Sequence, residues 1–279
     1  MIDLLQNNSF AAEVEHFSRL FDISQENQSL DHVSQILRSF ALFPYENVSK
    51  ILLLHKNFDQ PVMRHPGNII DDFEKFRLGG TCFSLTLFLK KIMDYFEYDT
   101  DFLLADMKSG DNTHTALRLN FQKGQYLLDP GYLLKYPLRI DQRHLSMDSV
   151  FLEAEDRPHR YTLYTFKSGN KIWRYSFENR AIDFPEYIKY WDQSFHWMTM
   201  HGICLSRKTE NEFLYIHNNY LKKESTKEKI KGKFNEDLSF VIQEHFGIPR
   251  ELVLQAKEAL ADNLHNDKEL GYRVPNWVK

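Results

Sequence analysis

Thiols are scarce in this chain: among 279 residues only Cys82 and Cys204 carry one. Cys82 directly follows Gly79-Gly80-Thr81 and precedes an apolar run, Phe83 through Phe96, in which Leu85, Phe88, Leu89, Ile92, Met93 and Phe96 recur at helical spacing. The pattern predicts a helix capped by Thr81 with Cys82 in its first turn. A helix N-terminus presents about half a positive charge and unpaired N–H groups, so a thiol placed there with an imidazole partner is suited to react as a thiolate. His114 opens a strand-like segment, Thr115-Ala116-Leu117-Arg118, and Asp129 closes another, Tyr126-Leu127-Leu128, ahead of Pro130-Gly131. A thiol nucleophile, an imidazole base and a carboxylate that orients the base are the residue types needed for acyl transfer through a thioester. Each also has a plainer reading, as a small apolar residue at a helix start, a histidine beside a loop and an aspartate that opens a turn.

The elements that must position these residues change in type along the chain. The first ninety-odd residues read as helical, with Leu30, Val33, Ile36, Leu37 and Phe40 at helical spacing after Ser29 as N-cap and a stop at Pro44. From about Phe102 the period becomes two, and Leu117, Leu119 and Phe121 lead through Lys123-Gly124 into Tyr126-Leu127-Leu128 as a β-hairpin. With Lys123-Gly124 as a two-residue turn, Asp129 stands opposite Arg118. It then shares a face with His114 at four residues' distance, roughly 13 Å at about 3.3 Å per residue. Contact between the two then requires a bulge or a different loop register. Further strands are expected at 161–166, 171–177 and 203–207, the last placing Cys204 in the core. The charge-mixed run Lys222–Lys229 reads as a surface loop or an exposed helix face, and the chain ends in two helices, one closed by Gly247 and one opened by Pro249.

Bulk properties exclude several classes. A hydrophobic content of 42% with 27% charged and 14% aromatic residues is that of a folded globular chain, not a disordered one. A net charge of −4 supplies no global field for nucleic acid or an anionic membrane. No apolar run approaches the roughly 20 residues that span a bilayer. Met1-Ile2-Asp3-Leu4 lacks the basic and apolar segments of a secretory leader, so a cytoplasmic location is expected. Two cysteines make neither a disulfide framework nor a paired zinc motif, and both are expected as free thiols.

The motifs together resemble the arylamine N-acetyltransferase family. Pro44-Tyr45-Glu46-Asn47-Val48 is similar to the family's Pro-Phe-Glu-Asn-Leu segment, and Gly79-Gly80-Thr81-Cys82 to its Arg-Gly-Gly-x-Cys nucleophile motif. The 15-residue interval from His114 to Asp129 matches the family's interval from base to orienting aspartate, and Asp129-Pro130-Gly131-Tyr132 resembles its Asp-x-Gly-Phe. Ser206-Arg207, Asn218-Asn219-Tyr220-Leu221 and His245-Phe246-Gly247-Ile248 resemble weaker family landmarks. The chain departs from the family at Leu78, where an arginine is expected and Arg77 sits one place out of register, so that the motif's ion pair is moved or missing. It departs again at Ser84 and Thr86, in place of an acidic or amide residue and an asparagine, and at Leu133, in place of a second glycine.

The resemblance implies an α+β fold: an N-terminal helical bundle, a central antiparallel β-barrel-like domain and a C-terminal α/β lid on a cysteine-proteinase-like core, with boundaries at 1–98, 99–205 and 206–279. It implies Cys82, His114 and Asp129 as the catalytic set, with Tyr132, Gly131, Gly80 and Thr81 lining the substrate. Glu46 and Arg118 are expected to pair as structural support, and no metal is implied. The activity implied is transfer of an acetyl or other acyl group from acyl-CoA, acetyl-CoA above all, to an arylamine or related amine by a ping-pong route. The alternatives are an amide synthase or transglutaminase-like enzyme using the same three residues, and a catalytically silent binding homologue.

Overall fold

The computed structural model describes residues 10–24, 28–58, 62–140, 150–167, 170–209, 211–225 and 227–278; the N-terminal segment read above for a leader lies outside them. The chain is α+β and divides into two compact units, each discontinuous in sequence. One holds the residues up to Phe40 with Leu85–Tyr190, the other Ala41–Ser84 with Trp191 to the C-terminus. Among the described residues no helix is long and apolar enough to cross a membrane.

In the first unit helices α1 (Ala11–Leu20), α2 (Leu30–Phe40) and α5 (Cys82–Tyr95, of which 85–95 belong here) pack through aromatic rings. Phe17 lies 5.9 Å from Phe40 and 5.7 Å from Phe88, and Phe40 lies 5.3 Å from Phe88. Helix α2 starts where the sequence predicts, with Ser29 Oγ accepting the His32 N–H at 3.1 Å, and buries Val33, Ile36, Leu37 and Phe40. Helix α5 buries nearly its whole circumference, as an all-round apolar helix must.

The unit's antiparallel, barrel-like sheet has seven strands in the order β5-β4-β3-β2-β8-β7-β6. These are β2 (Asp99–Met107), β3 (Gly110–Phe121), β4 (Gly124–Leu128), β5 (Leu138–Arg139), β6 (Val150–Ala154), β7 (Arg160–Lys167) and β8 (Asn170–Glu178). Leu103, Ala105, Ala116, Leu127, Leu163, Tyr175 and Phe177 form its core. Helix α6 (Phe184–Gln193) stacks Tyr187 on Phe102 at 4.1 Å.

The hairpin β3–β4 forms as expected but in a different register. Phe121 pairs with Gly124, so the turn is Gln122-Lys123, one residue earlier than the Lys-Gly pattern predicts. Gln122 takes the positive φ of 53°. Gly124 serves another purpose: a Cβ there would come within 2.9 Å of the Tyr126 ring.

The second unit carries α3 (Val48–Lys56), α4 (Pro66–Phe76), α7 (Leu238–Phe246) and α8 (Arg250–Glu269) with a five-stranded antiparallel sheet. Its strands run β1 (Tyr45–Glu46), β9 (Cys204–Lys208), β10 (Glu212–His217), β11 (Tyr220–Ser225) and β12 (Lys229–Lys233), in that order. Val48, Ile51, Leu205, Leu214, Ile216, Ile242, Phe246 and Val253 form the core between helices and sheet. Asp237 caps α7 and Gly247 closes it at φ 75°. The charged run after Tyr220 is neither loop nor helix: described residues of it form the hairpin β11–β12. Its charges are satisfied locally, Lys223 pairing with Glu212 and Glu228 and Lys222 with Glu224, and lysines on an edge strand guard it against further pairing.

Phe88 is the ring shared by Phe17 and Phe40, and its removal leaves a void that close-packed helices cannot fill. Phe88→Ala is expected to cost about 3–5 kcal/mol of unfolding free energy in urea, whereas exposed Phe240→Ala changes it by less than about 1 kcal/mol.

Candidate active site

Asp129 ends β4 and is fully buried. Extended by one residue, the observed register sets Asp129 opposite Ala116, two residues from His114 on the same face, and a diagonal pair at that separation lies within side-chain reach. His114 Nε2 and Asp129 Oδ2 stand 2.7 Å apart, with His114 3% exposed. The four-residue offset of the sequence pattern is therefore removed by the turn and not by a bulge.

Two further donors complete the carboxylate. Tyr175, on β8, donates its hydroxyl to Oδ2 at 2.6 Å, and the Tyr132 backbone N–H donates to Oδ1 at 2.8 Å. Burial, and after it the Asp129 charge, raises the Tyr175 hydroxyl well above the ordinary tyrosine value, which keeps it a donor. The Tyr175 ring also lies 4.9 Å from His114 and 5.9 Å, edge on, from Tyr132. Burial pushes the Tyr132 hydroxyl up to about 12, with Arg174 opposing. Gly131 and half-buried Tyr132 thus sit in the turn that follows the carboxylate. Tyr175 carries no sequence signal: it is one aromatic among 14 tyrosines and lies 46 residues from Asp129.

Cys82 is the first residue of α5 and 8% exposed, behind buried Gly80 and Thr81. A Cβ on Gly79 would collide with the Pro44 carbonyl oxygen, and one on Gly80 with Ser84 Oγ, so both glycines are there for close approach. Backbone bonds from Gly80 N–H to the Pro44 carbonyl at 3.2 Å and from Glu46 N–H to the Gly80 carbonyl at 3.0 Å clip this turn to β1. Ser84 Oγ donates to the Thr81 carbonyl at 3.1 Å across the first turn. One turn further along α5, Thr86 donates to the Thr115 carbonyl at 3.3 Å, bonding the helix to β3 at the residue next to His114. Cys204, by contrast, is half-buried on β9, and burial pushes its thiol up to about 11.

Glu46 and Arg118 each have partners in their own unit. Arg118 stands opposite Asp101 in the β2–β3 register and bonds its carboxylate at 2.6 Å and 3.0 Å. Glu46, fully buried, accepts the Ser49 N–H at 2.8 Å and faces Arg64 at 3.5 Å. Arg64 also donates to the Gly79 carbonyl, to Ser49 Oγ at 2.9 Å and to Asp72 at 2.6 Å. Arg64 lies in the segment before α4, while Leu78, where the resemblance expects an arginine, packs into the core and Arg77 ends α4 in the left-handed region, φ 59°. No spacing rule links Arg64 to Glu46 and Gly79, so its place is invisible in the sequence. The third motif residue, Asn47, bonds the Thr199 and Gly202 carbonyls and the Cys204 N–H, tying β1 to β9.

A family model described as N-acetyltransferase matches residues 29–254. Comparison with curated protein sequences gives no match. Among solved structures, the arylamine N-acetyltransferase of Salmonella typhimurium is similar at a TM-score of 0.72 and 13% identity, covering 89% of this chain and 99% of its own. That of Mycobacterium abscessus aligns at a TM-score of 0.75 and 15% identity, over 89% and 94%. An arylamine N-acetyltransferase of Bacillus cereus, described as having a Cys-His-Glu catalytic triad, aligns at a TM-score of 0.68 and 17% identity, over 85% and 98%.

Burial raises the Glu46 carboxyl above its ordinary value of 4.5, and the Arg64 charge is the largest influence holding it down. A carboxyl raised on folding contributes stability below about pH 4.5 that is lost as pH rises through the folded value. Arg64→Met raises Glu46 further and widens that window. Urea unfolding should show a loss of about 3–5 kcal/mol at pH 7 and a smaller loss near pH 4.5; equal losses at the two pH values would count against a charged Glu46–Arg64 pair.

Proposed function

The chain belongs to the arylamine N-acetyltransferase family, and from that premise we propose that it carries an acetyl group from acetyl-CoA to an arylamine or related amine, in the cytosol, through a thioester on Cys82. The observation that carries this reading is the buried 2.7 Å bond between His114 and Asp129. A fully buried carboxylate, with Tyr175 and a backbone donor already in place, would fix the ring's tautomer and stabilise the imidazolium that forms in turnover.

In the proposed cycle the Cys82 thiolate attacks the carbonyl carbon of acetyl-CoA, the C–S bond to coenzyme A breaks, and the leaving thiolate takes a proton from His114. With Nε2 committed to Asp129, Nδ1 is the ring nitrogen through which that proton moves. The acceptor amine then attacks the Cys82 thioester, gives its proton to His114, and the C–S electron pair returns to the sulfur. Both tetrahedral intermediates put negative charge on an oxygen, and the N–H groups at the start of α5 are suited to receive it. The Cys-His-Glu set named for the Bacillus cereus enzyme supports the same division of labour, with a carboxylate behind the histidine. Tyr132, beside Asp129 and Tyr175, with Gly131, Gly80 and Thr81, would line the acceptor groove.

Incubation of the full chain with acetyl-CoA should add one acetyl group, seen by intact mass and mapped to the Cys82 peptide, and an arylamine should remove it. Cys82→Ala should abolish the adduct, and Asp129→Asn should slow its formation by about 10⁴, as loss of the orienting carboxylate does in related triads. If neither acetyl-CoA nor longer acyl-CoAs label Cys82, the acyl-CoA reading is wrong, and carrier-protein or glutamine donors take its place.

A further inference from the structure

Strand pairing in the second unit lines up one row of residues from the turn that precedes Cys82 to the far edge of the sheet. Gly80 bridges to Tyr45, Tyr45 stands opposite Ser206, Ser206 opposite Tyr215, Tyr215 opposite Lys222 and Lys222 opposite Lys231. Directly opposed residues share a face, so the row runs along one side of the sheet, and its five spacings of about 4.8 Å make it about 24 Å long. The next row, Glu46, Leu205 and Ile216, points to the other side and is fully buried. The first row is half-buried at Tyr45, Ser206, Tyr215 and Lys222 and exposed at Lys231, as alternation in a sheet with one packed face requires.

The face changes character along this row. Its near end lies two residues before Cys82 in the chain, and its middle is aromatic, with the Tyr215 ring 6.5 Å from Tyr220 and the Lys222 ammonium 4.7 Å from the Phe213 ring centroid. The far end is basic. Lys229, Lys231 and Lys233 alternate along β12 and share the face with Lys222, and Glu224 is the one carboxylate that β11 and β12 place there. Glu224 is engaged by Lys222 at 2.9 Å and Lys229 at 3.8 Å. Lys231 and Lys233 are exposed and form no ion pair among the described residues, a local positive charge in a chain of net −4. All of these residues belong to one compact unit.

We propose that this row is the track of the acyl donor and that Lys231 and Lys233, with Lys222, recognise its phosphates. The proposal rests on the reading of Cys82 as the residue acylated by acyl-CoA. Lysines left without a counter-ion at the end of a half-open row fit an anion carried on a long arm, and the donor has that shape. About thirteen bonds separate the thioester sulfur of acetyl-CoA from its first phosphorus, about 16 Å when extended. Counted from Gly80 in strand spacings of about 4.8 Å, that length ends between Tyr215 and Lys222. The second phosphate and the 3′-phosphate then lie further out, toward Lys231 and Lys233, where an ammonium acts as a point charge on a phosphate. Contacts so far from the reacting carbonyl are the same in the ground and transition states, so they set KM and leave kcat alone.

The test compares two donors on the full chain, acetyl-CoA and S-acetylpantetheine, which has the same arm and no phosphate. Lys231→Glu combined with Lys233→Glu should raise KM for acetyl-CoA about tenfold with kcat unchanged, and leave acetylation of Cys82 by S-acetylpantetheine as it was. In the chain without substitutions, 3′,5′-ADP should compete with acetyl-CoA and not with S-acetylpantetheine. An unmoved KM for acetyl-CoA overturns the proposal. A variant that slows both donors alike marks a packing role and also overturns it. Should the double variant fail to fold, the competition decides alone: acetyl-CoA turnover indifferent to 3′,5′-ADP overturns the proposal. Intact mass separates the two ideas. No acetyl on Cys82 from either donor defeats the thioester reading and this proposal with it, while acetylation by acetyl-CoA that ignores both lysines defeats this one alone.

Discussion

A carboxylate with no exposed surface must find its donors inside the protein, and the first unit is arranged around that requirement at Asp129. Its two oxygens take the His114 ring, the Tyr175 hydroxyl and the Tyr132 N–H at 2.6–2.8 Å. The donors come from β3, β8 and the turn after β4, so the bonds hold only if the sheet keeps the order that places β4, β3, β2 and β8 side by side. A slip of one residue in β3–β4 would turn Asp129 to the other face and leave three polar groups unpaired, at about 1–3 kcal/mol for each. The sheet register and the site are therefore the same constraint seen at two scales.

Much of this frame is legible in the sequence. Helices α2, α5 and α7 show through apolar spacing and their stops, and the β3–β4 hairpin through its alternation. Its register does not, because Gly124 looks like a turn residue when it is a strand residue kept small beneath the Tyr126 ring. The run after Tyr220 misleads for a related reason: charge mixing suggests a solvated loop, but Lys223 pairs with Glu212 on the neighbouring strand and with Glu228 in the following turn, and partners 11 and 5 residues apart leave no helical signature. Arg64 and Tyr175 are silent because what they do depends on neighbours brought by tertiary packing.

The second unit solves a different problem, that of holding a bare turn in a fixed shape. Gly79 and Gly80 have no side chains to anchor them, so their carbonyls and N–H groups are fixed by Pro44, Glu46 and Arg64. Leu78, where the resemblance expects an arginine, brings no guanidinium to this turn; the one that reaches Gly79 and Glu46 is that of Arg64. Leucine at 78 is then free to join the core.

Leu133 shows how such a departure can leave the backbone intact. It adopts φ 56°, the left-handed region where the family resemblance expects glycine, at a cost of about 1–2 kcal/mol for a residue with a side chain. The same side chain is 3% exposed, and burying a leucine contributes about 1.5–3 kcal/mol. Burial outweighs strain or matches it, so the turn that carries Tyr132 onto Asp129 keeps its path, closed by the Leu134 N–H on the Asp129 carbonyl at 3.0 Å. What changes is the filling of the turn, a buried apolar group in place of none. The carboxylate keeps its donors, and the departure from the family pattern is absorbed by packing, without a change in the bonds to Asp129.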